Sequence, residues 1–372
     1  METQGVFVFV EKLSSSLSPS LGCPVVRRIR TSERLLEGGP LASRRRLAGR
    51  GIAVLGLALG LVAAAAGPAQ ADPSTTSIEQ GYELGEIQHP RSIAMAGAQQ
   101  VWGGSTTAIF VNPANLPLYR VYHLEGMAAF SPEARRQSYG GAVVDSSTSR
   151  LAGGFGGTWS QMDPDGIRRQ WTDLRLGLAY PISDRLHLGL TGRYLRVNQA
   201  TGRGPFGASL ASDGTGGEPI ANEFTFDAGA AVAITEQLRV AVSGRNLTAP
   251  GTGLMPLAVG GGVGWSNQTI TVEANTLVDF TTYSSTRMRM MLGGEYLLAD
   301  RVPLRAGYRY DAGLKTHALG LGAGYVDRRF SIELGARRDV VADNPATTIA
   351  AGLRIFIDSS GGGGGDPGGD AF

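Results

Sequence analysis

The residues able to do nucleophilic or metal chemistry are few: four histidines, His89, His123, His187 and His317, and one cysteine, Cys23. No histidine stands in a nucleophile motif, where a Ser or Cys shares a hydrogen bond with an imidazole held by an acid. His123, His187 and His317 are read at the inward parity of strands, where an imidazole on a polar wall serves hydrogen bonding. Asp163-Pro164-Asp165-Gly166 starts like a calcium loop but lacks the terminal bidentate Glu. The run Gly320-Leu321-Gly322-Ala323-Gly324 lies inside a strand pattern and opens no helix, so it is no phosphate cradle. The chain is expected to be no enzyme and to carry no cofactor or metal.

The chemistry with a pattern is ionic. Glu125, Arg175, Arg193, Asp227, Arg239, Arg245, Glu273, Asp279, Glu295, Arg305, Arg309, Glu333 and Arg354 all occupy one parity of alternating runs. The other parity is apolar: Leu174, Leu176, Leu178 and Tyr180, then Leu186, Leu188 and Leu190, then Leu238, Val240 and Val242. Phe224 and Phe226, Ile270 and Val272, and Leu304, Tyr308 and Tyr310 continue it. A period of two makes each run a strand with one apolar and one polar face. About fourteen such runs fill 121–357, so the fold class is all-β and antiparallel.

What the apolar face meets follows from the connections. Even-numbered strands end in tight turns such as Ser183-Asp184-Arg185, Thr235-Glu236-Gln237 and Ala299-Asp300-Arg301, whereas most odd-numbered strands are followed by longer segments such as Asn198 to Ala221. Short and long connections in alternation are the mark of a transmembrane barrel; a Greek-key sandwich mixes lengths without regard to parity. Trp159, Tyr180, Trp265, Phe280, Tyr296 and Tyr325 fall near strand ends, where an interfacial girdle sits. The charged parity then lines a lumen, with opposite charges able to pair across it.

The first 71 residues read as a leader. Arg44, Arg45, Arg46 and Arg50 precede an apolar run from Ile52 to Ala66, and Ala69-Gln70-Ala71 offers a small-residue cleavage site. That run is too short for a spanning helix of roughly 20 residues. Residues upstream of about Leu41 do not fit a leader, and a misassigned start accounts for them. The whole chain has 34 basic and 32 acidic residues, but the leader holds nine of the former and four of the latter. The remainder is slightly acidic, so nucleic-acid binding has no electrostatic basis. The segment 72–120 is not strand-like, and 358–372 is a Gly-rich tail expected to be disordered.

Strand glycines, notably Gly153, Gly154, Gly156, Gly157, Gly260, Gly262, Gly264, Gly320, Gly322 and Gly324, leave room inside the barrel. The segment 72–120 is the expected occupant. Within it, Arg91-Ser92-Ile93-Ala94-Met95-Ala96-Gly97-Ala98 runs toward Asn112-Pro113-Ala114-Asn115-Leu116, just ahead of the first strand. This resembles the N-terminal hatch of the FadL/PorV-like outer-membrane barrels. The resemblance covers nearly all of the chain after the leader. It implies a barrel of about 14 strands in the outer membrane of a Gram-negative bacterium, plugged by a segment that includes Arg91, Gly97, Asn112, Pro113 and Ala114. Gly352, Ile355 and Ile357 in the last strand are similar to the insertion signal read by the barrel-assembly machinery, although a tail ending in Phe372 follows.

The FadL branch implies passive movement of small hydrophobic molecules, with a lateral opening at the third strand. Here that strand, Leu151 to Trp159, carries Gly153, Gly154, Gly156 and Gly157, which either open it or let it pack tightly on the plug. The PorV branch implies instead an accessory role with secretion-system partners. The long loop at 198–221 has only Pro205, Phe206 and Leu210 as notable apolar residues, thin for a capture groove.

Overall fold

The computed structural model describes residues 89–133, 135–162, 169–199, 221–250, 255–267, 269–342 and 345–357. The leader, the start of the plug segment, Asp163 to Gly166, most of the 198–221 loop and the tail lie outside the described residues.

Alternation yields strands throughout. They are β1 (Tyr122–Ser131), β2 (Arg136–Asp145), β3 (Ala152–Met162), β4 (Arg169–Ser183), β5 (Leu186–Gln199), β6 (Ala221–Ala233) and β7 (Leu238–Arg245). The second half supplies β8 (Ala258–Ser266), β9 (Ile270–Asp279), β10 (Arg287–Leu298), β11 (Val302–Asp311), β12 (Thr316–Val326), β13 (Phe330–Val341) and β14 (Thr347–Phe356). Each pairs antiparallel with its chain neighbours, and β1 closes on β14 from His123↔Phe356 to Phe130↔Ile349, so the sheet is one closed barrel without edges. Even-numbered strands do end in the short turns. At Ala299-Asp300 both residues take left-handed backbone, φ 52° and 55°, as a two-residue hairpin turn demands.

Register sorts the two faces as the alternation predicts. Leu176, Leu321 and Leu334 stand outward with more than half their surface exposed, as part of a continuous apolar belt. In water a patch of that extent drives association, so the solvent of this face is lipid. Glu125, Arg175, Arg193, Asp227, Arg239, Glu273, Arg305, Arg309, Glu333 and Arg354 are buried on the inner side. His317 corrects the sequence reading. It shares the outward parity of Leu319 and Leu321, and its Nδ1 lies 2.6 Å from the Tyr308 hydroxyl on the lipid face. The inward residues of that strand are the even ones, Thr316, Ala318 and Gly320, with the register shifting beside His317.

Candidate functional site

The lumen is filled by the plug. His89 caps α1 (Pro90–Ala94), its Nδ1 accepting from the Arg91 amide at 3.2 Å, and Pro90 presets the first turn. The chain then reverses through Ala96 and Gly97. Gly97 has φ 91°, a conformation that only glycine adopts without strain. Ser105 precedes α2 (Thr106–Val111) but leaves that helix uncapped, bonding His123 of β1 instead at 2.7 Å. Among the described residues no carboxylate bonds the second nitrogen of His123, so the pair is an anchor rather than part of a triad. Asn112 ends α2 and caps the 3-10 turn Pro113–Leu118: its Oδ1 accepts from Ala114 and its Nδ2 donates to the Gln100 carbonyl. The plug motif is thus a set of turns closed by their own side chains.

Wall glycines receive the plug by direct backbone approach. A Cβ on Gly307 would stand 2.2 Å from the Met95 carbonyl carbon, and one on Gly335 2.2 Å from the Pro90 oxygen. Gly189 faces Pro113, Gly229 faces Asn112, and Gly264 faces Trp102. On β3, Gly154 and Gly156 make room for Ile109 and Phe110 of α2, while Gly153 and Gly157 point outward toward Leu178 and Leu174. β3 is paired along its length with both β2 and β4 without a register shift.

Two ionic chains hold the plug to the wall. At the end of the barrel that carries the short turns, Glu125 accepts from Arg354 at 3.1 Å, from His89 at 3.0 Å and from the Thr106 hydroxyl. Both plug helices therefore hang on one carboxylate. Arg354 also reaches Glu333 at 3.7 Å, Glu333 meets Arg305 at 3.3 Å, Arg305 bonds Glu295, and Glu295 takes Arg91 of the plug at 3.2 Å. A third anchor is Glu273, whose carboxylate accepts the Val101 and Trp102 amides at 3.0 and 2.9 Å, while Arg239 lies over the Trp102 ring at 5.2 Å. Toward the loop end, Asp173 pairs with Arg175 at 2.9 Å and Arg193 at 2.6 Å, and Arg175 also donates to the Phe110 carbonyl at 2.9 Å. This guanidinium satisfies a carbonyl left over at the end of α2.

The plug divides the lumen. On its loop side lies an open cleft of about 930 Å³, lined by apolar Phe110, Val111, Pro256, Ala258, Leu277 and Met291 and by charged residues among them, Arg193, Arg245, Asp279, Arg289 and Asp311. Tyr283 projects into it. Burial, with Asp311 and Asp279 beside it, pushes its hydroxyl up to about 12, so it stays a neutral donor, and among the described residues it has no partner. On the turn side a cleft of about 490 Å³ is lined by Arg91, Ser105, Tyr119, Glu295, Arg305, Glu333 and Arg354. The loop-side vestibule interleaves apolar and charged side chains, and the turn-side one gathers the Arg91, Glu295, Arg305, Glu333 and Arg354 charges.

All the sequence-selected lumen charges face inward, and Arg91, Asn112, Pro113 and Ala114 all sit in the plug. Gly352 faces Pro90 and Glu125, whereas Ile355 and Ile357 are exposed on the lipid side. Sequence reasoning missed His89, Thr106 and Ser105 as wall contacts and Asn246 as a vestibule residue. Only the inward parity of Glu125 and His123 hinted at partners for them.

Fourteen antiparallel strands, an N-terminal plug seated on wall glycines and a lipid-facing apolar belt define a plugged transmembrane β-barrel. No family model and no curated protein sequence matches the chain. Among solved structures it is similar to the monoaromatic hydrocarbon channel CymD, at 12% identity and TM-score 0.54, over 72% of this chain and 96% of that one. It is also similar to the toluene transporter TbuX of Ralstonia pickettii, at 14% and 0.53 over 73% and 98%, and to the toluene transporter TodX of Pseudomonas putida, at 14% and 0.52 over 76% and 99%. At these identities the likeness is one of fold.

Proposed function

We propose that this chain resides in the outer membrane of a Gram-negative bacterium and is a passive channel for small, largely hydrophobic molecules. The observation that carries the reading is the loop-side vestibule, whose lining joins Phe110 and Val111 of the plug to Leu277 and Met291 of the wall. The apolar part of this lining can hold an uncharged apolar solute, and burying it gains about 25 cal/mol per Å² of apolar area removed from water. The lining arginines form no compact cationic cradle, because Arg175 and Arg193 pair with Asp227 and Asp173 and Arg289 with Asp311. Transport of aromatic hydrocarbons by proteins of the same fold supports the solute class.

The test is entry of radiolabelled toluene into Gram-negative cells that lack their own hydrophobic-compound channel, with and without this protein. Expression should raise the initial rate several-fold. Unchanged entry, together with loss of surface proteins when the native gene is deleted, would replace this reading with the secretion-accessory role.

A further inference from the structure

At the loop end of β9 the chain turns through a corner held by its neighbours. The Phe280 amide donates to the Leu257 carbonyl at 3.0 Å, and the Leu257 amide donates to the Thr281 hydroxyl at 2.9 Å. Asp279 closes the corner, its Oδ1 accepting from the Thr281 and Thr282 amides at 3.0 Å each. The loop end of β11 is built the same way: Asp311 Oδ1 accepts from the Gly313 and Leu314 amides at 2.9 and 3.1 Å. The two aspartates differ in their second oxygen. That of Asp311 takes Arg289 at 2.8 Å, whereas Asp279 Oδ2 is buried and has no partner among the described residues.

Tyr283, from the first corner, lies on the second. A Cβ added at Gly313 would meet the Tyr283 Cζ at 2.6 Å and its hydroxyl at 2.7 Å, so the bare glycine is what seats the ring. The hydroxyl is buried and unpartnered among the described residues, and burial first, then Asp311 and Asp279, keep its proton in place. Asp279 and Tyr283 both line the loop-side vestibule with Leu277 and Met291. Leu277 and Asp279 share the inward face of β9, so the apolar and polar parts of the lining meet there.

A plain hydrocarbon seated here displaces water from one donor and one acceptor and leaves both unpaired. A site built around a hydroxyl rejects an analogue lacking it more sharply than an apolar pocket rejects a methylene. A solute hydroxyl answers both groups, accepting from Tyr283 and donating to Asp279. A carboxylate or phenolate brings no proton, and it meets the same aspartates that hold the Tyr283 proton. Phe110 and Met291 suit an aromatic body through ring–ring and sulfur–ring contacts.

We propose that the loop-side vestibule selects neutral phenols, with Tyr283 donating to the solute hydroxyl and Asp279 accepting from it. This rests on the channel reading above and narrows its solute to an aromatic ring that carries a hydroxyl.

Equilibrium dialysis of p-cresol, p-xylene and 4-methylanisole against the protein in nanodiscs, with empty nanodiscs subtracted, tests it. The three differ at one substituent, which donates and accepts, does neither, or only accepts. Tyr283→Phe removes the donor, so p-cresol should bind at least fivefold more weakly and p-xylene more tightly. Asp279→Asn keeps an oxygen for the two turn amides but sets an N–H donor where the acceptor stood. The ratio of p-cresol to 4-methylanisole affinity should then fall at least fivefold. Heat-modifiable gel mobility shows that each variant keeps its barrel. A cresol-to-xylene ratio in Tyr283→Phe within twofold of the parent's overturns the proposal, as does a cresol-to-anisole ratio that close in Asp279→Asn. Binding of all three solutes with unaltered ratios leaves the channel reading standing, and no binding by any of them overturns both. Cresol binding that falls in both variants, with no entry of toluene or p-cresol into cells, keeps the phenol site and sinks the channel reading instead.

Discussion

Replacing Glu125 tests how the plug is held. Its carboxylate is buried and takes Arg354, His89 and Thr106 at once, so Glu125→Leu strands a guanidinium and releases both plug helices. Removing one partner of a buried pair costs about 3–5 kcal/mol. Arg354 keeps Glu333 at 3.7 Å, which places the loss at the lower end, about 3 kcal/mol. At 1.4 kcal/mol per tenfold, that raises the population of displaced plug roughly 150-fold. The assay is proteinase K cleavage of the plug in the folded barrel, where cleavage tracks the open population when opening and reclosing are fast. A second variant isolates the stranded charge: E125L with R354M should be cleaved more slowly than E125L alone, because no orphan cation remains. Cleavage of E125L within twofold of the parent, or a double variant faster than the single one, would refute the reasoning.

Gly307→Val should displace the plug at its first turn, since the added Cβ meets the Met95 carbonyl group; a loss of about 3 kcal/mol or more in thermal unfolding and faster plug proteolysis would show it. Gly97→Ala should cost about 1–2 kcal/mol from the left-handed backbone alone, measured in the same melts. At the loop-end rim, Glu133 bonds Arg338 and Thr347; burial pushes its carboxyl up, but these hydrogen bonds outweigh that and hold it at about 2. Because the folded value lies below the ordinary one, the contribution is complete above the ordinary carboxylate range and is lost as pH falls through about 2. E133Q should therefore lower the melting temperature slightly at pH 7 and leave it unchanged near pH 1.5. Finally, the detergent-purified barrel should migrate faster on gels unheated than boiled.

Much of this architecture was legible in the sequence because a membrane barrel writes its two faces at a period of two. Leu174 to Tyr180 and Arg305 to Arg309 could be assigned to lipid and lumen without knowing any partner. His317 is the exception: the inward parity of its strand is even, as Gly320, Gly322 and Gly324 show, so an odd-numbered side chain there faces lipid. The glycines of β3 were open to two readings, and Gly154 and Gly156 pack against Ile109 and Phe110. The anchoring of His89 and Thr106 on Glu125 could not be read, because it exists only once β1 closes on β14 and brings Arg354 beside that carboxylate. The shortness of β7, eight residues, was hidden for a similar reason. Strand length is a property of pairing, and the apolar alternation of Leu238, Val240 and Val242 looks the same in a short wall as in a tall one.

The central claim is that the loop-side vestibule receives a small apolar solute, and a crystal of the protein soaked with iodobenzene tests it most directly. The expected result is an anomalous iodine peak in the vestibule, against Phe110, Leu277 and Met291. Iodine found only on the lipid-facing belt, with the vestibule empty at saturating solute, would contradict it.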